Sequence, residues 1–274
     1  MLRLCFIILR LCFIILRLYN YYFASLQLLI SVFAYYKRDM GNKKRLVVLT
    51  GAGISAESGI STFRDSDGLW EKHSVEEICT HEALYRNYDM VVQFYNDRFA
   101  QLATVEPNAA HLALKTLEDK FDVQIITQNV DNLHERAGSS NIIHLHGELT
   151  KVCSMKNENL IVDRNTLPNP LVSGKDVAPD GGKWRPFIVF FNEAVPMIEP
   201  AIELVQTADI LLIIGTSLQV YPAASLSMYA PRNAEMFLID PKPNTAGFNR
   251  PINVIAKGAS EGMKEFMEMM NEKL

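Results

Sequence analysis

The sequence predicts an α/β fold: a parallel sheet covered by helices on both faces, with a small module inserted into it. Three observations carry that expectation. Short apolar runs of strand length alternate with segments of helical period, the pattern of a sheet buried on both sides. The first run, Leu46–Leu49, leads straight into a glycine-rich turn and a helix start. Between Glu148 and Arg185 the regularity breaks up, and Pro168, Pro170, Gly174, Pro179, Gly181 and Gly182 mark loops, as an irregular insertion would.

Taken in order, Leu46–Leu49 is a buried strand running into Gly51-Ala52-Gly53, whose missing side chains would let backbone N–H groups approach a ligand. Ser55, Glu57 and Ser58 are read as helix-start chemistry. Strand, turn and helix N-terminus together make an anion site; a tight strand-to-helix turn is the plainer alternative. Ser74 to Glu77 is a capping-box pattern. Asp89 is read as the cap of a helix from Met90 to about Ala103, with Val91, Tyr95, Arg98 and Leu102 on one face. Asn108 opens the next helix, with Leu112, Leu114 and Leu117 as its apolar contacts. Val123–Ile126 is a strand, Asn132–Ala137 a helical turn stopped by Gly138, and Ile142–Leu145 a strand ending at His146-Gly147. Beyond the irregular stretch, strands are expected at Ile188–Phe191, Asp209–Ile214, Met236–Ile239 and Val254–Ile255. Helices are expected at Ile198–Gln206, Ala223–Tyr229 and Glu261–Lys273. Ligands of parallel sheets sit beyond the strand C-termini, and Gly51, Gln128, His146 and Gly215 all fall there.

The sequence has 274 residues and a formal net charge of −4, so it carries no nucleic-acid footprint and does not repel a basic, lysine-bearing partner. Of its four cysteines, Cys5 and Cys12 lie in a tandem repeat, LRLCFII at Leu2–Ile8 and again at Leu9–Ile15. Cys79 and Cys153 stand at unrelated spacing and form no disulfide framework, which fits a monomer in a reducing cytoplasm. Residues 1–39 are expected to be translated upstream sequence outside the fold. A membrane anchor over Leu18–Tyr36, followed by Lys37-Arg38, and a targeting signal are the alternatives.

Several polar groups could carry chemistry. Gln128-Asn129-Val130-Asp131 leaves a strand either as an Asx-type turn capping the next helix or as the lining of a polar pocket. His144 and His146, two apart, would face one side of a strand. They could be a metal pair, but no third ligand stands nearby. His146, beside Gly147 at the strand end, is the candidate base, and His144 is read as structural. Tyr95 and Arg98, three apart on one helix face, could grip a carboxylate. The alternative is a surface tyrosine with Arg98 paired to Asp97 or Glu106.

The string GAGISAESGI, followed by Phe63-Arg64, resembles the sirtuins, the NAD-dependent protein lysine deacylases, and the likeness runs in order from Leu46 to about Phe266. It implies a Rossmann-like catalytic domain over 40–274, with small-module insertions at about 71–106 and 148–186. It implies NAD as cofactor and acylated-lysine proteins as substrates, the acyl group passing to ADP-ribose with release of nicotinamide. By that likeness NAD meets Gly51, Ala52, Gly53, Ile54, Ser55, Glu57, Phe63, Arg64 and Trp70. It also meets Gln128, Asn129, Val130, Asp131, Gly215, Thr216, Ser217, Asp240, Pro241, Lys242 and Ala259. His146 is then the general base, Asn129 orients a ribose hydroxyl or water, and Asp131 holds the nicotinamide carboxamide. Phe191, Asn192, Glu193 and Val220 line the peptide. Tyr95 and Arg98 match the Tyr-x-x-Arg of members that remove succinyl and malonyl groups, and Cys79 falls where those members make room for the longer chain.

Two departures stand out. Cys153 is alone where the family carries four zinc cysteines, so no metal is expected in a degenerate zinc-ribbon position. Phe191-Asn192-Glu193 replaces the family's FGE; asparagine tolerates a positive φ better than most residues, so the turn should survive. An ADP-ribosyltransferase or NAD hydrolase on the same fold is the rival activity, and an NAD-sensing binding module the second rival.

Overall fold

The computed structural model describes residues 43–61 and 74–273. The expectations for residues 1–39, Phe63, Arg64 and Trp70 lie outside the described residues.

Strand β1 (Arg45–Thr50) is followed by a one-turn helix α1 (Ala52–Ala56), then by helices α2 (Val75–Ile78), α3 (His81–Arg86), α4 (Tyr88–Leu102) and α5 (Ala109–Leu117). Next come β2 (Asp122–Thr127), the short helix α6 (Leu133–Arg136), β3 (Ile142–His144), β4 (Gly147–Ser154), β5 (Ile161–Asp163) and β6 (Trp184–Ile188). The chain continues through α7 (Ile198–Val205), β7 (Ile210–Ile214), a 3₁₀ segment (Ala223–Tyr229), β8 (Glu235–Ile239), β9 (Asn253–Ile255) and α8 (Ala259–Lys273).

Six strands form a parallel sheet in the order β3-β2-β1-β7-β8-β9. Alternation along β1 shows why its sequence is apolar throughout. Leu46 and Val48 enter one core with Leu114, Leu117, Met263 and Phe266 of α5 and α8. Val47 and Leu49 enter the opposite core with Ala201 and Val205 of α7. Both faces are thus buried and no polar residue interrupts the run.

The remaining elements form a small module. β5-β4-β6 is an antiparallel sheet. Its Leu149, Val152, Trp184 and Ile188 share a third core with Leu84, Tyr88, Val91, Val92 and Tyr95 of α3 and α4. The two insertions therefore stabilise one another. The stretch from Glu148 to Arg185 is more regular than its sequence predicts. β4 is partly covered on one side and β5 is mostly exposed, so neither shows the apolar run of a buried strand.

Other expectations are corrected. The strand placed at Ile188–Phe191 lies at Trp184–Ile188, and Phe191 instead forms an isolated bridge with Thr80. Asp89 sits inside the first turn of α4, which begins at Tyr88. Leu112 is 51% exposed, because the helical period puts Ala110, Leu114 and Leu117 on the core face and Leu112 opposite. Ser74 and Glu77 do behave as a capping box, Glu77 Oε2 accepting from Ser74 N at 3.1 Å. Among the described residues no helix is long and apolar enough to cross a membrane.

Candidate functional site

The turns that follow β1, β2, β3 and β7 meet at one end of the sheet. The first departs from expectation. The N–H groups of Gly51 and Gly53 donate to Ile214 O and Gly215 O, at 3.0 and 2.9 Å, and so are spent within the protein. A Cβ on Gly51 would come within 2.7 Å of Thr216 Cβ, and one on Gly53 within 2.6 Å of Gly215 Cα. These glycines are required by the packing of two turns, and their N–H groups are not free for an anion. Ala52, at the start of α1, has no intrahelical acceptor for its N–H. Ile54 is fully buried in the sheet core, so only its backbone can face a ligand.

Ser55, Glu57 and Ser58 do not start the helix, which has no side-chain cap at Gly51. Ser55 lies inside it and donates to Asp131 Oδ2 at 3.0 Å. Ser58 accepts from Asn108, the N-cap of α5. Glu57 reaches across the molecule and accepts from Ser260 N at 3.1 Å, beside Ala259 at the start of α8. No signal in the sequence foretells that long-range cap.

The turn after β2 supports both readings of its motif. Asp131 Oδ1 accepts from Leu133 N at 3.1 Å, an Asx-type cap of α6. At the same time the turn faces the glycines: Asn129 Nδ2 donates to Gly51 O and Ser55 Oγ, both at 3.1 Å. Gln128 Nε2 donates to Thr216 Oγ1 at 3.0 Å, and Val130 O accepts from Leu149 N at 2.8 Å, tying the turn to β4. Burial raises the pKa of Asp131 above its ordinary value, against the Leu133 and Ser55 bonds and the nearby His144.

His146 Nδ1 lies 2.9 Å from Gln128 O. A carbonyl only accepts, so Nδ1 carries the hydrogen and a neutral ring has its lone pair on Nε2. Burial lowers the pKa of His146, partly offset by that carbonyl, which favours the neutral ring. His144 contacts Asn129 O through Nδ1 at 3.2 Å and Glu135 Oε1 through Nε2 at 2.6 Å. Among the described residues no group of three or more His, Cys, Asp or Glu could hold a metal ion.

The helical motif belongs to the small module, against whose core Val130 of the turn after β2 also packs. Tyr95 is buried, donates to Cys79 Sγ at 3.6 Å and meets Phe190 edge-to-face. Arg98 lies over the Phe94 ring, 5.3 Å from its centroid, and its Nε is buried with no partner among the described residues. The acids that might have paired with it are engaged elsewhere, Glu106 with Arg136 and Asp97 with Gln93. Phe191 N donates to Cys79 O, so this helix and the Phe191-Asn192-Glu193 loop converge on one place.

That loop keeps its turn. Asn192 has φ +71° and its Nδ2 donates to Glu82 at 3.0 Å. Glu193, expected to face substrate, is engaged within the protein. Arg185 donates to both its oxygens at 2.7 and 2.8 Å, His81 Nδ1 is 2.8 Å away, and Phe190 N donates to it. Burial alone would raise its pKa; the Arg185 and His81 bonds outweigh that and lower it. Arg185 and His81 were not singled out in the sequence, since neither belongs to a motif. Asp240, at the end of β8, accepts from Lys242 N at 2.7 Å with one oxygen, and Pro241 and Lys242 are exposed.

Residues 51–222 match a model of the Sir2 family. The chain is 56% identical over 230 residues to an NAD-dependent protein deacylase of Bacteroides thetaiotaomicron, covering 83% of this chain and 98% of that protein. It is 58% identical over 203 residues to an NAD-dependent protein deacylase of Aggregatibacter actinomycetemcomitans, covering 74% of this chain and 95% of the other. Among solved structures, a Sir2 homologue–NAD complex superposes with a TM-score of 0.75 at 34% identity, covering 88% of this chain and 94% of that one.

Proposed function

The chain belongs to the Sir2 family, and from that premise we propose that it is an NAD-dependent protein lysine deacylase that also accepts acidic acyl groups. The observation that carries the reading is the convergence of Asn129, Asp131 and His146 on the Gly51 and Gly215 turns.

The residues suit the cofactor. Ala52 N–H can meet a phosphate at the helix start. Asp240 keeps one carboxylate oxygen for a ribose hydroxyl. With both Nδ2 hydrogens of Asn129 held by Gly51 O and Ser55 Oγ, its Oδ1 and the Asp131 carboxylate are the acceptors for a carboxamide N–H and a ribose hydroxyl. When bound, NAD supplies the ribose that receives the acyl group and the nicotinamide that leaves. His146 takes a proton at Nε2 from a ribose hydroxyl while Nδ1–H stays with the Gln128 carbonyl. Ser55 and Leu133 N hold the Asp131 carboxylate in place.

Tyr95 and Arg98 select the acyl group. Among the described residues Arg98 has no carboxylate partner, which supports a role in binding one on the substrate. The module dispenses with zinc: its core of Leu149, Val152 and Trp184 packs on α3 and α4 and gives it a stability of its own. Metal analysis of the purified protein should find less than one zinc per ten chains, and chelator should leave its Tm unchanged. Stoichiometric zinc would overturn this part of the reading.

Mass spectrometry of acetyl-, succinyl- and malonyl-lysine peptides incubated with protein and NAD tests the function. Deacylated peptide and O-acyl-ADP-ribose are expected in equal amounts, and His146→Ala should lower turnover by about 10²–10⁴-fold while NAD still binds. ADP-ribosylated product without deacylation would overturn the proposal in favour of a transferase.

A further inference from the structure

We infer that His144 is a positioning residue for NAD binding, acting as a charged clamp that holds the Asn129–Asp131 turn from the end of β3. This inference rests on the deacylase reading and adds a residue to it.

The geometry starts from the sheet. β3 pairs with β2 in parallel as far as Thr127 and His144, and Leu145 N donates to Thr127 O. Beyond that point backbone pairing stops and two side chains continue the ladder. His146 takes the carbonyl of Gln128 and His144 takes the carbonyl of Asn129. His144 ends the strand and His146 stands in the turn after it, and the two grip successive carbonyls of one turn. They differ in what lies at the second ring nitrogen. Among the described residues no hydrogen bond is seen at His146 Nε2, whereas His144 Nε2 is 2.6 Å from Glu135 Oε1 of α6.

Both partners of His144 are acceptors, a carbonyl and a carboxylate. Satisfying both requires a hydrogen on each ring nitrogen, so the ring is an imidazolium. Asn129 is then fixed from two sides, its backbone by His144 and its carboxamide by Gly51 O and Ser55 Oγ. The charged groups facing the ring come from every element around it. They are Glu135 and neutral, buried His134 on α6, Asp131 in the turn, and Glu148 on β4, which is itself paired with Lys151. Acids predominate, and the ring's charge in turn favours the ionised form of buried Asp131.

Burial opposes the charged ring, but the Glu135 bond and charge, Glu148 and the Asn129 carbonyl outweigh it, so the pKa lies above the ordinary 6.5. The sign follows. The clamp is complete below that ordinary value and is lost as pH rises through the raised one. NAD affinity should therefore carry an alkaline limb that belongs to His144.

Calorimetric titration with NAD from pH 6 to 9, which needs no turnover, tests this on wild type, His144→Gln and Glu135→Gln. His144→Gln should weaken NAD at pH 6 by about ten-fold and abolish the limb, because glutamine cannot titrate. Glu135→Gln, a milder change, should move the limb to lower pH without removing it. In steady state His144→Gln should raise the KM for NAD more than it lowers kcat. A limb that persists in His144→Gln, or that Glu135→Gln leaves unmoved, would overturn the inference. Wild type that binds NAD with this limb but deacylates nothing would instead overturn the deacylase reading and leave the clamp standing.

Discussion

On the reading proposed above, Arg98 is the residue that decides the acyl group. Its guanidinium lies over the Phe94 ring, and its Nε is buried without a hydrogen-bond partner among the described residues. On that reading an acetyl group would offer it nothing, while a succinyl carboxylate would satisfy it; the Tyr95 hydroxyl would join only by giving up its bond to Cys79 Sγ. Arg98→Met should lower the ratio of kcat/KM for succinyl over acetyl peptides by about ten- to a hundred-fold, from the net value of charge-assisted hydrogen bonds. An unchanged ratio would place the acyl pocket elsewhere. Single residues were legible where their chemistry is local. Asn192 was expected at positive φ and has it, and the polar ends of the strands fell together as parallel sheets require. Glu57 was not legible, since its cap on Ser260 joins residues far apart in the chain. The Arg185 partner of Glu193 was not legible for a similar reason: nothing beside Glu193 announces it.

Among the elements, the sheet strands were the easiest to foresee and the small module the hardest. β1 and β7 are buried on both faces, so their sequences leave no ambiguity. β4 is only partly covered, β5 has three mostly exposed residues, and β6 carries Arg185 and Pro186 in its middle, so none shows a clean apolar run; their core is completed by residues from α3 and α4. The joint between module and peptide loop is the Glu193–Arg185 pair, in which the Arg185 side chain is only 3% exposed. Removing one partner of such a pair leaves an uncompensated charge. Glu193→Gln should cost about 3 kcal/mol in urea unfolding and raise the KM for peptide, because the Phe191-Asn192 turn loses its anchor. If stability and KM both stay at wild-type values, the pair is not what holds the loop.

For the whole molecule, acid is the stress to which the fold is most exposed. His111 and His134 are buried side by side, ring centroids 4.9 Å apart, with His111 Nε2 and His134 Nδ1 unpartnered among the described residues. Burial pushes His111 down from 6.5 to about 4 and His134 well down too. The unfolded chain therefore takes up protons first. Stability should fall as pH drops below 6.5 and level off, for His111, near 4, a loss of about 3 kcal/mol from that residue. Urea midpoints measured between pH 7 and 4.5 check this, and His111→Gln should flatten the decline; an equal slope in that variant would acquit the residue.

The strand order has a consequence for synthesis. β1 lies between β2 and β7 in the sheet, but β7 begins at Ile210. At ribosomal speeds of about 5–20 residues per second, one edge of the central strand waits roughly ten to thirty seconds for its neighbour. During that interval the nascent chain presents an apolar strand edge to any passing polypeptide. The glycine turn meanwhile lacks the Ile214 and Gly215 carbonyls that shape it. Ligand-competent protein should therefore appear only after β7 has been made.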